Sequence, residues 1–358
     1  MSIDPYARDL EATPVPVDEE APHRSGQMPS TASPREEQSS KCWRPPASRA
    51  LSRLDDTQRG DGTYSVGLPD RRSVWLFGDT FLGTINSDGS RSMSTPFVHN
   101  SLVVQNGQDL SDVNFLTPAA AATPSAPGDW FWPGSGTVSG DTLKVLELEF
   151  GSTGSGIWAF TYKGTSVATF ALPRLSLVSV KPVTTDPGID WGSGTLDDGG
   201  FTYIYGAEDT DSGKYVHVAR VPQGDLTAPW QYYDGSTWST DPSASARILG
   251  GVSNQFSVLA VAGHYELISQ DDDFSPDVSA YSAASPVGPF ANKTVIYTTP
   301  NWGPGTFTYN ALAHPEQGWA GGLLVSYNVN ELTALGDYTN ALIYRPHFVR
   351  VPASCLPN

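Results

Sequence analysis

The chain has 358 residues and a formal net charge of −17, with charged residues at 16%, aromatics at 11%, 35 Gly and 29 Pro. That length allows one large or two ordinary domains, and the charge-poor, turn-rich composition points to an all-β protein rather than a helical one. The acidic balance argues against nucleic acid or an anionic membrane surface as partner, since phosphate binding needs a basic patch. No run of about 18 apolar residues offers a transmembrane helix.

Residues 1–41 are rich in Pro, Glu, Ser and Thr and lack periodicity, which predicts a disordered tail or linker. They show no charged start followed by an apolar core and a cleavage site, so no signal peptide is visible. Order is expected from Cys42-Trp43 onward, with 42–358 as the folded domain. The only cysteines, Cys42 and Cys355, bracket that domain. Such a pair suggests a disulfide tying its ends together in an oxidising compartment, the alternative being two free thiols. A secreted or cell-surface location follows from the first reading.

The stretch 60–105 carries the strongest chemical signal. Residues 64–68 alternate like a strand, Pro69-Asp70-Arg71 turns, and 73–77 run back as a more buried strand. Asp61 and Asp79 lie nine residues on either side of Asp70. They are therefore expected opposite each other on adjacent antiparallel strands, with Cα atoms about 4.5–5.5 Å apart on one face. Two carboxylates so placed repel unless something uses them, although Asp-Gly and Gly-Asp-Thr are also ordinary turn chemistry.

A loose repeat follows. Openings at Asp61, Trp132, Asp190, Asn254 and Tyr309 are 55 to 71 residues apart, and Gly-Ser-Gly-Thr recurs at 134–137 and 192–195. Second strands are predicted over 74–77, 143–150, 201–205, 265–269 and 323–327. Further strands are expected in most units, among them 215–221 and 230–233, 278–282 and 294–297, and 341–344 and 347–351. Five units of about four antiparallel strands predict a five-bladed β-propeller, with a two-sheet sandwich as the alternative.

First strands line the channel of a propeller, so one funnel should collect Asp61, Asp79, Trp132, Asp190, Trp191, Asn254, Tyr309 and Asn310. His99, Asn100, His314 and Glu316 are expected close by, with Asn328 and Asn330 as further candidates. Amides and carboxylates bond hydroxyl pairs and aromatic rings stack on sugar faces, so this mixture fits a neutral polysaccharide or oligosaccharide. Trp191 is expected as a sugar platform at the mouth. The acidic run Asp271-Asp272-Asp273 with Asp277 lacks EF-hand spacing and reads as a solvated loop, so a structural Ca²⁺ has little support. Neither a zinc cluster, a GxSxG, a P-loop nor a GxGxxG is present, and no cofactor is expected. The oligomeric state is open.

The run Asp61-Gly62-Thr63 … Val74-Trp75-Leu76-Phe77-Gly78-Asp79-Thr80-Phe81 resembles the opening signature of an actinobacterial five-bladed propeller family, formerly only a domain of unknown function. That family includes the endo-D-arabinanases that cut mycobacterial arabinan. Val98-His99-Asn100-Ser101, Tyr309-Asn310 … His314-Pro315 and Tyr344-Arg345-Pro346 look like its later blade motifs. The resemblance spans about 42–355 and implies that Asp61 and Asp79 are the catalytic carboxylates of a glycoside hydrolase acting on arabinofuranose-type polysaccharide. Asp61, on the inner strand, is expected as base or nucleophile and Asp79 as acid. A non-catalytic carbohydrate-binding propeller and a protein-interaction scaffold are the alternatives.

Overall fold

The computed structural model describes residues 59–107, 113–115, 122–155, 158–261, 263–272, 274–318, 321–333 and 335–357. The expectations for the 1–41 tail and for Cys42 fall outside these residues; Cys355 is buried.

Five antiparallel sheets follow one another along the chain. Blade 1 holds Tyr64–Gly67, Ser73–Phe77, Ser101–Gln105 and Val113–Phe115. Blade 2 is Asp129–Ser139, Thr142–Ser152, Phe160–Ala171 and Ser176–Val183. Blade 3 runs Asp190–Asp198, Phe201–Thr210, Gly213–Pro222 and Gln231–Tyr233, extended by Trp238–Ser239 and Leu249–Gly250. Blade 4 is Phe256–Val261, His264–Gln270, Asp277–Ala283 and Ala291–Thr298. Blade 5 has three strands among the described residues, Thr306–Ala313, Gly322–Glu331 and Pro346–Pro352. The strand expected over 341–344 is instead part of a loop that opens with the short helix Gly336–Thr339. Residues 347–351 belong to the third strand of the blade, not a fourth.

What closes the ring is packing between blades. Separate apolar clusters fill each junction: Leu76 with Leu143 and Phe170 between blades 1 and 2, and Leu146 with Trp191 and Ile204 between 2 and 3. Tyr205 with Phe256 and Leu267 joins 3 to 4, and Ile268 with Val325 and Val349 joins 4 to 5. Trp75, Phe77 and Val103 meet Leu324 and Phe348, joining the last blade to the first. Second strands such as Ser73–Phe77 are buried on both faces, so they read as continuous apolar runs rather than alternating ones.

The recurring Gly-Ser-Gly-Thr has a steric cause. Both copies sit at β-bulges of inner strands, between Pro133 and Gly136 and between Trp191 and Gly194. There the two backbones nearly touch, and a Cβ on Gly134 would lie 2.4 Å from the carbonyl oxygen of Gly192. Ser135 Oγ also hydrogen-bonds Thr195 Oγ1 at 2.8 Å. Gly134→Ala must push the inner strands apart, and overpacking of this kind costs about 1–3 kcal/mol. Urea denaturation should show that loss, whereas Gly154→Ala, whose nearest neighbour would be Ala159 Cβ at 3.8 Å, should unfold like wild type.

Candidate active site

The hairpin of blade 1 has the register its sequence predicts. Tyr64 opposes Leu76 and Gly67 opposes Ser73, and the small sheet beyond keeps the same register, with Gly60 opposite Thr80. Asp61 and Asp79 fall between these pairs. The Asp61 N–H donates to the Asp79 carbonyl at 3.3 Å, and the Gly78 N–H donates to the Asp61 carbonyl at 2.8 Å. Gly62, at φ 69°, kinks the chain between the two short strands. A Cβ on Gly78 would lie 2.7 Å from Asp61 Oδ1 and 3.5 Å from Trp132 Cδ1, so a larger residue there would displace the Asp61 carboxyl.

The two carboxyl groups sit in different surroundings. Asp61 Oδ2 accepts from the Tyr309 hydroxyl at 2.9 Å. Burial and then the charge of Asp79 push Asp61 up to about 7, against the lowering pull of the Tyr309 and Tyr344 hydroxyls. Both phenols are themselves driven well above their ordinary value, chiefly by burial, so they remain donors. Asp79 Oδ1 takes two N–H donors at 2.7 Å each, His99 Nδ1 and Trp132 Nε1. Tyr344 anchors the Asp79 backbone, its hydroxyl donating to the carbonyl at 3.0 Å. His99 stacks on Trp130 at 4.8 Å, and Trp132 packs against Phe150 and Phe160, so both donors are held by rings of blade 2.

Other expected residues divide into two groups. Asp190 begins the inner strand of blade 3 at the same end of the channel, beside Asp209 and Lys214; burial, then Asp209, raises it to about 7. Asn254 stands with them, its Oδ1 accepting from Lys214 Nζ at 2.8 Å. Asn310 occupies the inner-strand bulge of blade 5 at φ 55°. The remaining expectations are corrected. Trp191 is fully buried, edge-on to Trp230 and Tyr232, and is core packing rather than a platform. Asn100 is buried, with both amide N–H groups on the Thr123 and Phe131 carbonyls and its Oδ1 accepting from the Thr123 N–H, so it ties backbone together rather than facing a ligand. His314 lies beyond the far end of its strand, buried between Ser65 and Ser326, and burial lowers it to about 3. Glu316 is at that far end too, against Gly67. Asn328 bonds Gly60 and Thr63 as a fastener between blades 5 and 1, whereas Asn330 stays beside Tyr309.

Asp337, Arg91 and Gln255 are among the residues at the site that the sequence pattern does not reveal. Asp337, on the Gly336–Thr339 helix, is raised to about 7 by burial, with Glu331 and Asp79 adding to the effect and Arg91 opposing it. Arg91 lies over the Phe81 ring and bonds the Ala341 carbonyl, which ties the long blade 1 loop to that of blade 5. Gln255 reaches toward Gly62, and its buried Oε1 has no protein partner. Topology offered a signal for Asp337, because every loop from second to third strand emerges where the inner strands begin.

Among the described residues no group of three or more His, Cys, Asp or Glu is arranged to hold a metal ion. In the acidic run Asp271 pairs with Lys293 at 2.8 Å, and Asp273 lies outside the described residues. No described helix is long and apolar enough to cross a membrane.

The chain is thus a five-bladed β-propeller with a close carboxylate pair at one end of its axis. It belongs to the family described as Domain of unknown function (DUF5005), whose model matches residues 49–353. Among solved structures it is similar to a Bacteroides ovatus protein provisionally called a hydrolase, at 23% identity and TM-score 0.74, over 92% of this chain and 97% of that one. It is also similar to a family 43 β-xylosidase/α-arabinofuranosidase from a compost microbial metagenome, solved with xylotriose (11% identity, TM-score 0.52, 86% and 96% covered). The catalytic domain of a family 62 α-L-arabinofuranosidase from Coprinopsis cinerea matches at 8% identity and TM-score 0.50, over 87% and 94%. At these identities the likeness is one of fold. Among curated proteins none matches the sequence.

Proposed function

We propose that this protein is a secreted glycoside hydrolase that cleaves an arabinofuranose-type polysaccharide. The observation that carries the reading is the Asp61–Asp79 pair, one carboxyl raised to about 7 and the other held by two N–H donors. Glycosidic cleavage needs a protonated acid at the leaving oxygen and a second carboxylate at the sugar, and neighbouring environments that differ in this way supply both. Their surroundings support the reverse of the allocation expected from strand position. Asp61 keeps its proton near neutrality and delivers it to the glycosidic oxygen. Asp79, with its oxygen oriented by His99 and Trp132, is the second carboxylate. The sugar class rests on the endo-D-arabinanase resemblance, and the furanosidase activities named for two fold neighbours agree with it. Secretion and a Cys42–Cys355 bond belong to the same proposal, as does a single folded domain over 42–358.

Incubation with plant arabinan, arabinogalactan and lipoarabinomannan, followed by product chromatography, tests the reading; intact polymer in all three would contradict it. The pH dependence has a definite sign. As pH climbs through about 7 Asp61 gives up its proton, so kcat/KM should fall on the alkaline side. Stability should fall in the same direction. Asp61, Asp190 and Asp337 at about 7 and Glu147 at about 8 hold protons in the folded chain that the unfolded chain releases near 4. The melting temperature should therefore decline between about pH 4 and pH 8, and a rise over that window would refute the linkage.

A further inference from the structure

Large rings stand exposed on the same face as the carboxylate pair: Trp158 is 61% exposed, Trp302 50% and Phe274 43%. They belong to the loop after the second strand of blade 2, the blade 4 to blade 5 connection and the loop after the second strand of blade 4. Blades 2 and 4 are not neighbours, yet Trp158 and Phe274 meet with ring centroids 6.0 Å apart, so the pair arches across the mouth. From Phe274 the row continues inward to Phe307 at 4.6 Å and Tyr309 at 5.3 Å, and Tyr309 holds Asp61. An unbroken aromatic track thus leads from the rim to the candidate acid.

Trp302 and the backbone that carries Phe274 are anchored within the protein. Trp302 Nε1 donates to the Phe274 carbonyl, and Gln270 Nε2 bonds the neighbouring Ser275 carbonyl. Gln270 Nε2 is also tied to the backbone and hydroxyl of Thr308 at 2.8 and 2.9 Å. A rigid aromatic face costs little entropy on binding and suits a flat apolar sugar surface. A chain carrying −17 would repel a polyanion, which leaves an uncharged glycan as the occupant.

We infer that Trp158, Phe274 and Trp302 form a distal subsite for an uncharged polysaccharide, gripping the chain more than one sugar ring from the scissile bond. This inference rests on the hydrolase reading, and the test separates the two. Affinity electrophoresis of the catalytically disabled Asp61→Asn protein in gels containing plant arabinan or arabinogalactan reads binding without cleavage. Adding Trp158→Ala or Phe274→Ala should weaken polymer binding about 10-fold, equivalent to about 1.4 kcal/mol, and Trp158→Phe should restore most of it. In the active background, the ratio of kcat/KM on polymer to that on an aryl arabinofuranoside should fall by a similar factor. Ring-dependent binding without cleavage by the wild type would sink the hydrolase and keep the platform. Polymer binding that ignores these substitutions, or no binding to either polymer, overturns the platform, as does sedimentation showing a wild-type dimer that Trp158→Ala makes monomeric.

Discussion

Asp79→Asn should cut turnover on the preferred polysaccharide by at least about 100-fold, the lower end for loss of an acid–base group, and Asp61→Asn should do the same. Neither change alters shape, and an amide can still accept from Tyr309 or from His99 and Trp132. What disappears is ionisation. The folds should survive, and Asp61→Asn should melt no lower than wild type near pH 8, because it removes a buried carboxyl that Asp79 repels. The allocation of roles makes a finer distinction. Asp61→Asn should abolish the alkaline limb near pH 7. Near wild-type rates from both variants would reduce the pair to turn chemistry, and the search would move to Asp190 and Asp337.

The largest effect on stability is expected at Trp191. Its ring has no exposed surface and fills the junction of blades 2 and 3 against Trp230, Tyr232 and His217. Trp191→Ala should cost about 3–5 kcal/mol, the usual loss for a deleted buried aromatic, while the properly folded fraction keeps its affinity for glycan. Denaturant titration beside the same gel assay checks this. A stable variant with weakened glycan binding would return Trp191 to the mouth of the funnel.

The contrast between these residues shows what local sequence could reveal. The hairpin was legible because alternation, a Pro-Asp turn and a fully apolar return strand fix the register, and register alone places Asp61 opposite Asp79. Five apolar second strands likewise announced five blades. Trp191 misled because an inner strand shows one face to the channel and the other to a neighbouring blade, and the bulge between Trp191 and Gly194 shifts that alternation. His314 and Glu316 failed on distance. Five residues of strand beyond Tyr309, at about 3.3 Å each, carry His314 roughly 16 Å down the barrel of inner strands. Asp337 and Arg91 come from long loops between second and third strands, whose positions depend on contacts such as Arg91 N–H to the Tyr338 carbonyl and Ala341 N–H to the Gly89 carbonyl. No periodicity records contacts of that kind.

The paired aspartates are expected to cleave glycosidic bonds. Reducing-end release from plant arabinan, arabinogalactan and lipoarabinomannan, measured side by side for wild type and for the Asp79→Asn variant, tests it most directly. Wild type should give steady release from at least one polymer, and the variant at least about 100-fold less at equal folded concentration. Equal release by both proteins, or polymer bound by wild type without a single new reducing end, would contradict it.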